Sequence, residues 1–238
     1  MIPSDKFNPH RTEREINALK ICDTPLIGKL FDFGVFYSSN NEKFYYVIEE
    51  YLDGGTLTDK INDTILTKDL IKNLAIKLIN AITYLKEKNL VHRDIKPDNI
   101  MFRSNSNDPV LVDLGIVRDL SISSLTQSWL PVGPGTPYYS SPEQLNNDKH
   151  LIKWRSDQFS LGIVLGLCLT RQHPFQEEGM NPEQAVERMA QRQPFTDNFK
   201  EKVISLGFEG ILKMLAPWPI QRFNSPENLL HYFEGVEI

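Results

Sequence analysis

The stretch Leu90-Val91-His92-Arg93-Asp94-Ile95-Lys96-Pro97-Asp98-Asn99-Ile100 places a carboxylate at Asp94, an ammonium at Lys96 and an amide at Asn99 within six positions. Pro97 lacks a backbone donor and pushes Lys96 away from helical geometry, so these side chains ride on a loop. Three groups of complementary chemistry held this close on an irregular segment are the feature from which the rest of the chain is read.

Upstream, Leu70, Ile71, Leu74, Ala75, Leu78, Ile79, Ile82 and Leu85 recur at three- and four-residue spacing. That spacing predicts a long amphipathic helix delivering the chain to His92. Before it, residues 26–36 and 44–51 are rich in aromatic and β-branched residues and are separated by the polar Ser38-Ser39-Asn40-Asn41-Glu42. They read as a hairpin, preceded by a short helix over about residues 10–21 and a turn at Asp23-Thr24-Pro25. Downstream, residues 100–102 and 110–112 read as short strands. Residues 121–128 are rich in serine and threonine and run into Pro131, Gly133, Pro134 and Gly135, which predicts a mobile surface loop. Helical patterns follow over 157–170, 182–191 and 202–215, the first apolar nearly all round and therefore central. A few strands first and helices afterwards define an α+β chain.

The 238 residues, 40% of them apolar, suffice for one large domain or two close lobes. A net charge of −5 without a block of Lys or Arg argues against nucleic acid as the main partner. Cys22 and Cys168 lie far apart and suggest reduced core thiols, not a disulfide or zinc site. The longest apolar run, Leu161 to Leu169, is too short to span a bilayer, and the first residues lack a signal pattern. The expected address is the cytoplasm, with no membrane contact.

In order, the chain shows E-R-E-I-N-A-L-K, E-E-Y-L-D-G-G-T-L, V-H-R-D-I-K-P-D-N-I-M, D-L-G, G-T-P-Y-Y-S-S-P-E-Q, S-D-Q-F-S-L-G, H-P-F and Q-R-F. From Glu15 to Arg222 this series resembles the eukaryotic-type serine/threonine protein kinase family. The resemblance implies a kinase-like fold with a partial small lobe over residues 1–52 and a helical large lobe over 53–238. It also implies transfer of the ATP γ-phosphoryl to a serine or threonine of a protein substrate, with Mg²⁺.

By that resemblance Asp94 orients the attacking hydroxyl, Lys96 neutralises the transferred group, and Asn99 and Asp113 hold magnesium. Oxygen donors of this kind suit a hard cation that keeps sites for phosphate and water. Thr136 would hydrogen-bond near Asp94 and Lys96, with a purely local role in the Gly-Thr-Pro turn as the alternative. Glu50, Leu52, Met101 and Glu15 are implied on the nucleotide side, with Glu49 at the position that sets pocket depth. His92 would stack with Leu114, Leu19 and Leu30. Asp157 reads as structural, accepting backbone N–H groups at a helix N-terminus and, in the family, steadying the catalytic loop. Glu143 and Arg222 would form a buried pair. Arg93 would pair with a phosphate on the loop carrying Ser121, Ser123, Ser124, Thr126 and Ser128.

The pattern also departs from the family. No glycine precedes Gly28, so the phosphate-covering loop is missing, and Lys6 is the only lysine near the place of the strand lysine that partners Glu15. The small lobe is expected to retain one helix and about two strands, with an open sheet edge that invites another strand. Impaired transfer is one expectation. The other is a catalytically dead pseudokinase that binds a partner through its sheet edge and helices.

Overall fold

The computed structural model describes residues 2–3, 16–104, 106–114, 118–119 and 136–237. Lys6, Glu15, the first part of the expected 10–21 helix and the 121–135 segment lie outside them.

Residues 16–20 are helical and form α1. Strands β2 (Leu30–Tyr37) and β3 (Lys43–Glu49) form the expected antiparallel hairpin. Its turn is closed by the Asn41 N–H on the Ser38 carbonyl at 2.9 Å, with Asn41 at φ 61°, a conformation asparagine tolerates. A two-residue strand, β1 (Ile2–Pro3), pairs antiparallel with β3, giving the order β1-β3-β2. The reading of one helix and about two strands therefore holds, with β1 added beside β3.

The expected strand over 26–36 begins four residues late, because its first part pairs elsewhere. Ile27 makes a parallel bridge to Leu111, the Gly28 N–H donates to the Leu111 carbonyl at 3.0 Å, and the Leu111 N–H donates to the Leu26 carbonyl at 2.9 Å. Leu111 belongs to the hairpin of β5 (Ile100–Phe102) and β6 (Pro109–Leu111) that follows the loop. A further ladder joins β4 (Leu90–Val91) to β7 (Arg118–Asp119).

The helical part is built on α3 (Lys68–Glu87) and α5 (Trp154–Thr170). Thr67 caps α3, its hydroxyl accepting from the Leu70 N–H at 3.2 Å. The face of α3 predicted from spacing is buried from Ile71 to Leu85. Helix α5 is buried on nearly every side from Trp154 to Cys168, as its uniform apolar pattern requires. Around these two lie α2 (Leu57–Asp63), α4 (Pro142–Leu145), α6 (Pro182–Ala190), α7 (Asp197–Ser205), α8 (Gly210–Met214) and α9 (Pro226–Glu234).

The single helix expected over 202–215 is two helices, α7 and α8. Gly207 sits at φ 81°, with its N–H on the Ile204 carbonyl at 3.0 Å and the Phe208 N–H on the Val203 carbonyl at 3.1 Å. This left-handed glycine cap ends α7 and turns the chain. It also carries Phe208 into the core, where the side chain is fully buried. Both cysteines are free thiols. Among the described residues no helix is long and apolar enough to cross a membrane.

Candidate active site

The loop between β4 and β5 is held from beneath by one carboxylate. Asp157, in the first turn of α5, accepts the His92 N–H on Oδ2 at 2.9 Å and the Arg93 N–H on Oδ1 at 2.8 Å. The donors come from the loop 64 and 65 residues away, not from the helix's own N-terminus. Arg93 has φ 73°, a costly conformation for a side chain of this size. It is fixed from both sides, since Gln144 Nε2 donates to the Arg93 carbonyl at 2.8 Å.

His92 is fully buried. The Asp94 N–H donates to its Nδ1 at 3.3 Å, so Nε2 carries the proton and donates to the Val112 carbonyl at 3.1 Å. Burial lowers the imidazole's affinity for a second proton, outweighing the pull of the Val112 carbonyl and of Asp94. His92 is thus a neutral strut between the loop and the segment leading to Asp113. Leu114 and Leu19 are buried in the core and Leu30 packs against it.

Asp94 is 5% exposed, and four contacts converge on its carboxylate. Oδ1 accepts the Thr136 N–H and the Thr136 hydroxyl, each at 2.9 Å. Oδ2 accepts Lys96 Nζ at 3.0 Å and Asn99 Nδ2 at 3.2 Å. Burial works against ionisation here, but the hydrogen bonds from Lys96 and Thr136 and the Lys96 charge prevail and hold the carboxyl below its usual range. Lys96 Nζ also donates to the Thr136 hydroxyl at 2.9 Å, closing a triangle of Asp94, Lys96 and Thr136.

Pro97 starts a 3₁₀ turn, Pro97–Asn99, that brings Asn99 back over Asp94. The Asn99 amide nitrogen also donates to the Asp94 carbonyl at 2.9 Å. With that nitrogen committed, the amide oxygen turns the other way and stays an acceptor. The Asn99 carbonyl takes the Val112 N–H at 3.0 Å, so Asp113 is the residue next to one bonded to Asn99. Asp113 itself has φ 61°, within the left-handed region that aspartate tolerates.

On the nucleotide side expected from the motifs, Leu52 is buried and Met101 half-buried, and the chain from Glu50 to Gly55 is stitched to the β5 hairpin. The Gly54 N–H donates to the Phe102 carbonyl at 2.9 Å, and the Phe102 N–H to the Gly55 carbonyl at 3.0 Å. The Glu50 N–H is spent on the Lys29 carbonyl at 2.8 Å. Its carboxylate receives a two-pronged grip from Arg103, Nε at 2.7 Å and Nη2 at 3.0 Å, while Arg103 Nη1 donates to the Pro25 carbonyl at 2.9 Å. Sequence spacing carried no signal of this clamp, nor of the Gln144 contact to Arg93. Partial burial and then the charge of Asp113 push the Glu49 carboxyl up from its usual range. Glu15 and the serine-rich segment expected to pair with Arg93 lie outside the described residues.

The protein kinase domain family matches residues 3–233, and the chain belongs to that family. It is 30% identical over 221 residues to the serine/threonine-protein kinase PrkC of Bacillus subtilis, covering 92% of this chain and 32% of that protein. It is 29% identical over 221 residues to a probable serine/threonine-protein kinase of Streptomyces coelicolor, with the same coverages. Over 151 residues it is 32% identical to the serine/threonine-protein kinase PknA of Nostoc, covering 62% of this chain and 26% of that protein. The chain thus spans about a third or less of the length of these relatives.

Proposed function

We propose that this chain transfers the γ-phosphoryl group of ATP to a serine or threonine hydroxyl of a protein. The observation that carries this reading is the Asp94 carboxylate, kept ionised by Lys96 and Thr136 yet only 5% exposed. A carboxylate so placed can orient an incoming hydroxyl and receive its proton as the new phosphate ester forms. Lys96, bonded to both Asp94 and Thr136, sets a positive charge where the transferred group gains negative charge. Thr136 holds Asp94 from the acceptor side.

Asn99 and Asp113 are the residues that would hold Mg²⁺. The donor chemistry fits: the amide nitrogen of Asn99 is already spent on Asp94, leaving an oxygen, and Asp113 adds a carboxylate. Bound there, the ion would neutralise charge on the phosphates. The backbone from Glu50 to Leu52 and the side chain of Met101 are assigned to the adenine, with the division between lobes at residues 52 and 53.

One observation favours the non-enzymatic reading. Glu49 adds a second negative group beside Asp113, on the side assigned to nucleotide. The test pairs phosphoryl transfer from labelled ATP to a generic protein substrate with Mg-ATP calorimetry. Asp94→Asn is expected to lower transfer by about 10²–10⁴-fold while leaving nucleotide binding intact. Binding without any transfer by the wild-type chain would overturn the enzymatic reading in favour of an interaction module.

A further inference from the structure

Away from the catalytic loop, the connection between α4 and α5 and the turn before α9 enclose a groove of about 280 Å³. Leu151, Trp154, Trp218 and Ile220 give it an apolar floor and rim. Ile220 is 80% exposed and Trp218 47%, a large display of apolar surface at one place. His150, Lys153 and Arg155 line the same groove, and among the described residues no carboxylate does. Cationic lining is unexpected by composition, since the whole chain carries a net charge of −5.

The groove is preformed. Its two walls are tied to a single buried guanidinium, because Arg222 donates to the Arg155 carbonyl at 2.8 Å and to the Pro217 carbonyl at 3.3 Å. Arg155 is pinned in turn, with Nε on the Phe223 carbonyl at 3.2 Å and Nη2 on the Asn224 carbonyl at 3.1 Å. Both acceptors are uncharged, so its positive charge is not cancelled. The indole of Trp218 lies against the Arg192 guanidinium at 3.9 Å, and Arg192 is itself anchored to Asp148 at 2.5 Å and to the Pro217 carbonyl at 3.2 Å. The Asp148 carboxylate is therefore neutralised by its own arginine. Rigid aromatic and arginine side chains are the residue types that anchor protein partners, because little freedom is lost on binding.

We propose that this groove docks an acidic protein segment carrying one large apolar side chain, the apolar group entering between Trp218 and Leu151 and its carboxylates meeting Lys153, Arg155 and His150. The assignment is independent of the phosphoryl-transfer reading, since none of the groove residues belongs to the catalytic loop.

The test is fluorescence polarisation of the whole chain with a labelled glutamate-rich peptide bearing one central phenylalanine. Saturable binding that weakens with added salt is expected, and Lys153→Glu and Ile220→Asp should each weaken it by about tenfold or more. Both positions are exposed, so the variants should keep the wild-type circular dichroism and melting temperature. Absence of saturation, equal binding of a lysine-rich peptide with the same phenylalanine, or equal binding of the glutamate peptide without it would overturn the proposal. Variants that bind as the wild type would do the same. Variant-sensitive binding to phosphatidylserine vesicles with none to the peptide would overturn it in favour of a lipid surface.

Discussion

The Glu143 carboxylate and the Arg222 guanidinium meet fork to fork, at 2.7 Å and 2.9 Å, although 79 residues separate them and neither side chain touches solvent. Ser156 donates to Glu143 at 2.7 Å, and Arg222 gives its remaining donors to the carbonyls of Arg155, Ala216 and Pro217. A buried ion pair satisfied this completely tolerates removal of neither partner alone, because the survivor is left charged in an apolar surround. Glu143→Ala and Arg222→Ala are each expected to cost about 3–5 kcal/mol. The double variant should cost clearly less than the sum, as read by urea unfolding.

Asp157 gives a pH signature. Burial pushes its carboxyl up to about 7, against the opposing bonds from the Arg93 and His92 N–H groups and the charge of Arg93, while the charge of Glu143 adds to the rise. Between the unfolded carboxylate value of about 4 and about 7 the folded chain holds the proton more tightly than the unfolded chain. Stability from this group is therefore full below about pH 4 and is lost as pH rises through about 7. Asp157→Asn has no such proton, so the free-energy gap between wild type and variant should shrink from pH 5 to pH 7.5. A constant gap would contradict the assignment.

His173 should act in the opposite sense. It is buried against the ring of Tyr138, 4.0 Å between centroids, and burial brings its imidazole down to about 4 in spite of the Tyr138 carbonyl at its Nε2. Between about 4 and the unfolded value of about 6.5 the unfolded chain binds the extra proton, so stability rises with pH across this window and levels off above it. His173→Gln should flatten that rise in denaturant midpoints measured at pH 5 and pH 7. An unchanged slope would exclude His173 as its source.

Gly54 is required by close approach. A Cβ there would lie 2.7 Å from the Arg103 carbonyl oxygen and 2.8 Å from that of Phe102, and neither backbone atom can swing aside. Gly54→Ala is expected to destabilise by about 1–3 kcal/mol through overpacking. It should also displace the segment assigned to adenine, so Mg-ATP affinity measured by calorimetry should fall more than that of a core variant of equal stability remote from this segment, such as one at Phe233.

The sequence made the helical scaffold and the loop over 92–99 legible because both rest on local rules. Spacing over 70–85 gave α3, which runs over Lys68–Glu87, and Pro97 marked the turn that returns Asn99 to Asp94. Boundaries failed where a remote partner or a single backbone conformation decided them. The 26–36 strand gave up its start to Leu111, and Gly207 split the last predicted helix. Contacts that join Glu50 to Arg103 and Gln144 to Arg93 span 53 and 51 positions, distances at which periodicity carries no information. The triangle of Asp94, Lys96 and Thr136 was implied by family resemblance alone, since Thr136 lies 42 residues from Asp94.

The ladder between Leu26-Ile27-Gly28 and Leu111 makes a mechanical linkage. Leu111 is gripped by hydrogen bonds on both its N–H and its carbonyl, and only Val112 separates it from Asp113. Through this hub a tilt of the β2–β3 hairpin would be felt by the backbone one residue from the aspartate, so the hairpin is placed as a lever whose short arm ends beside Asp113.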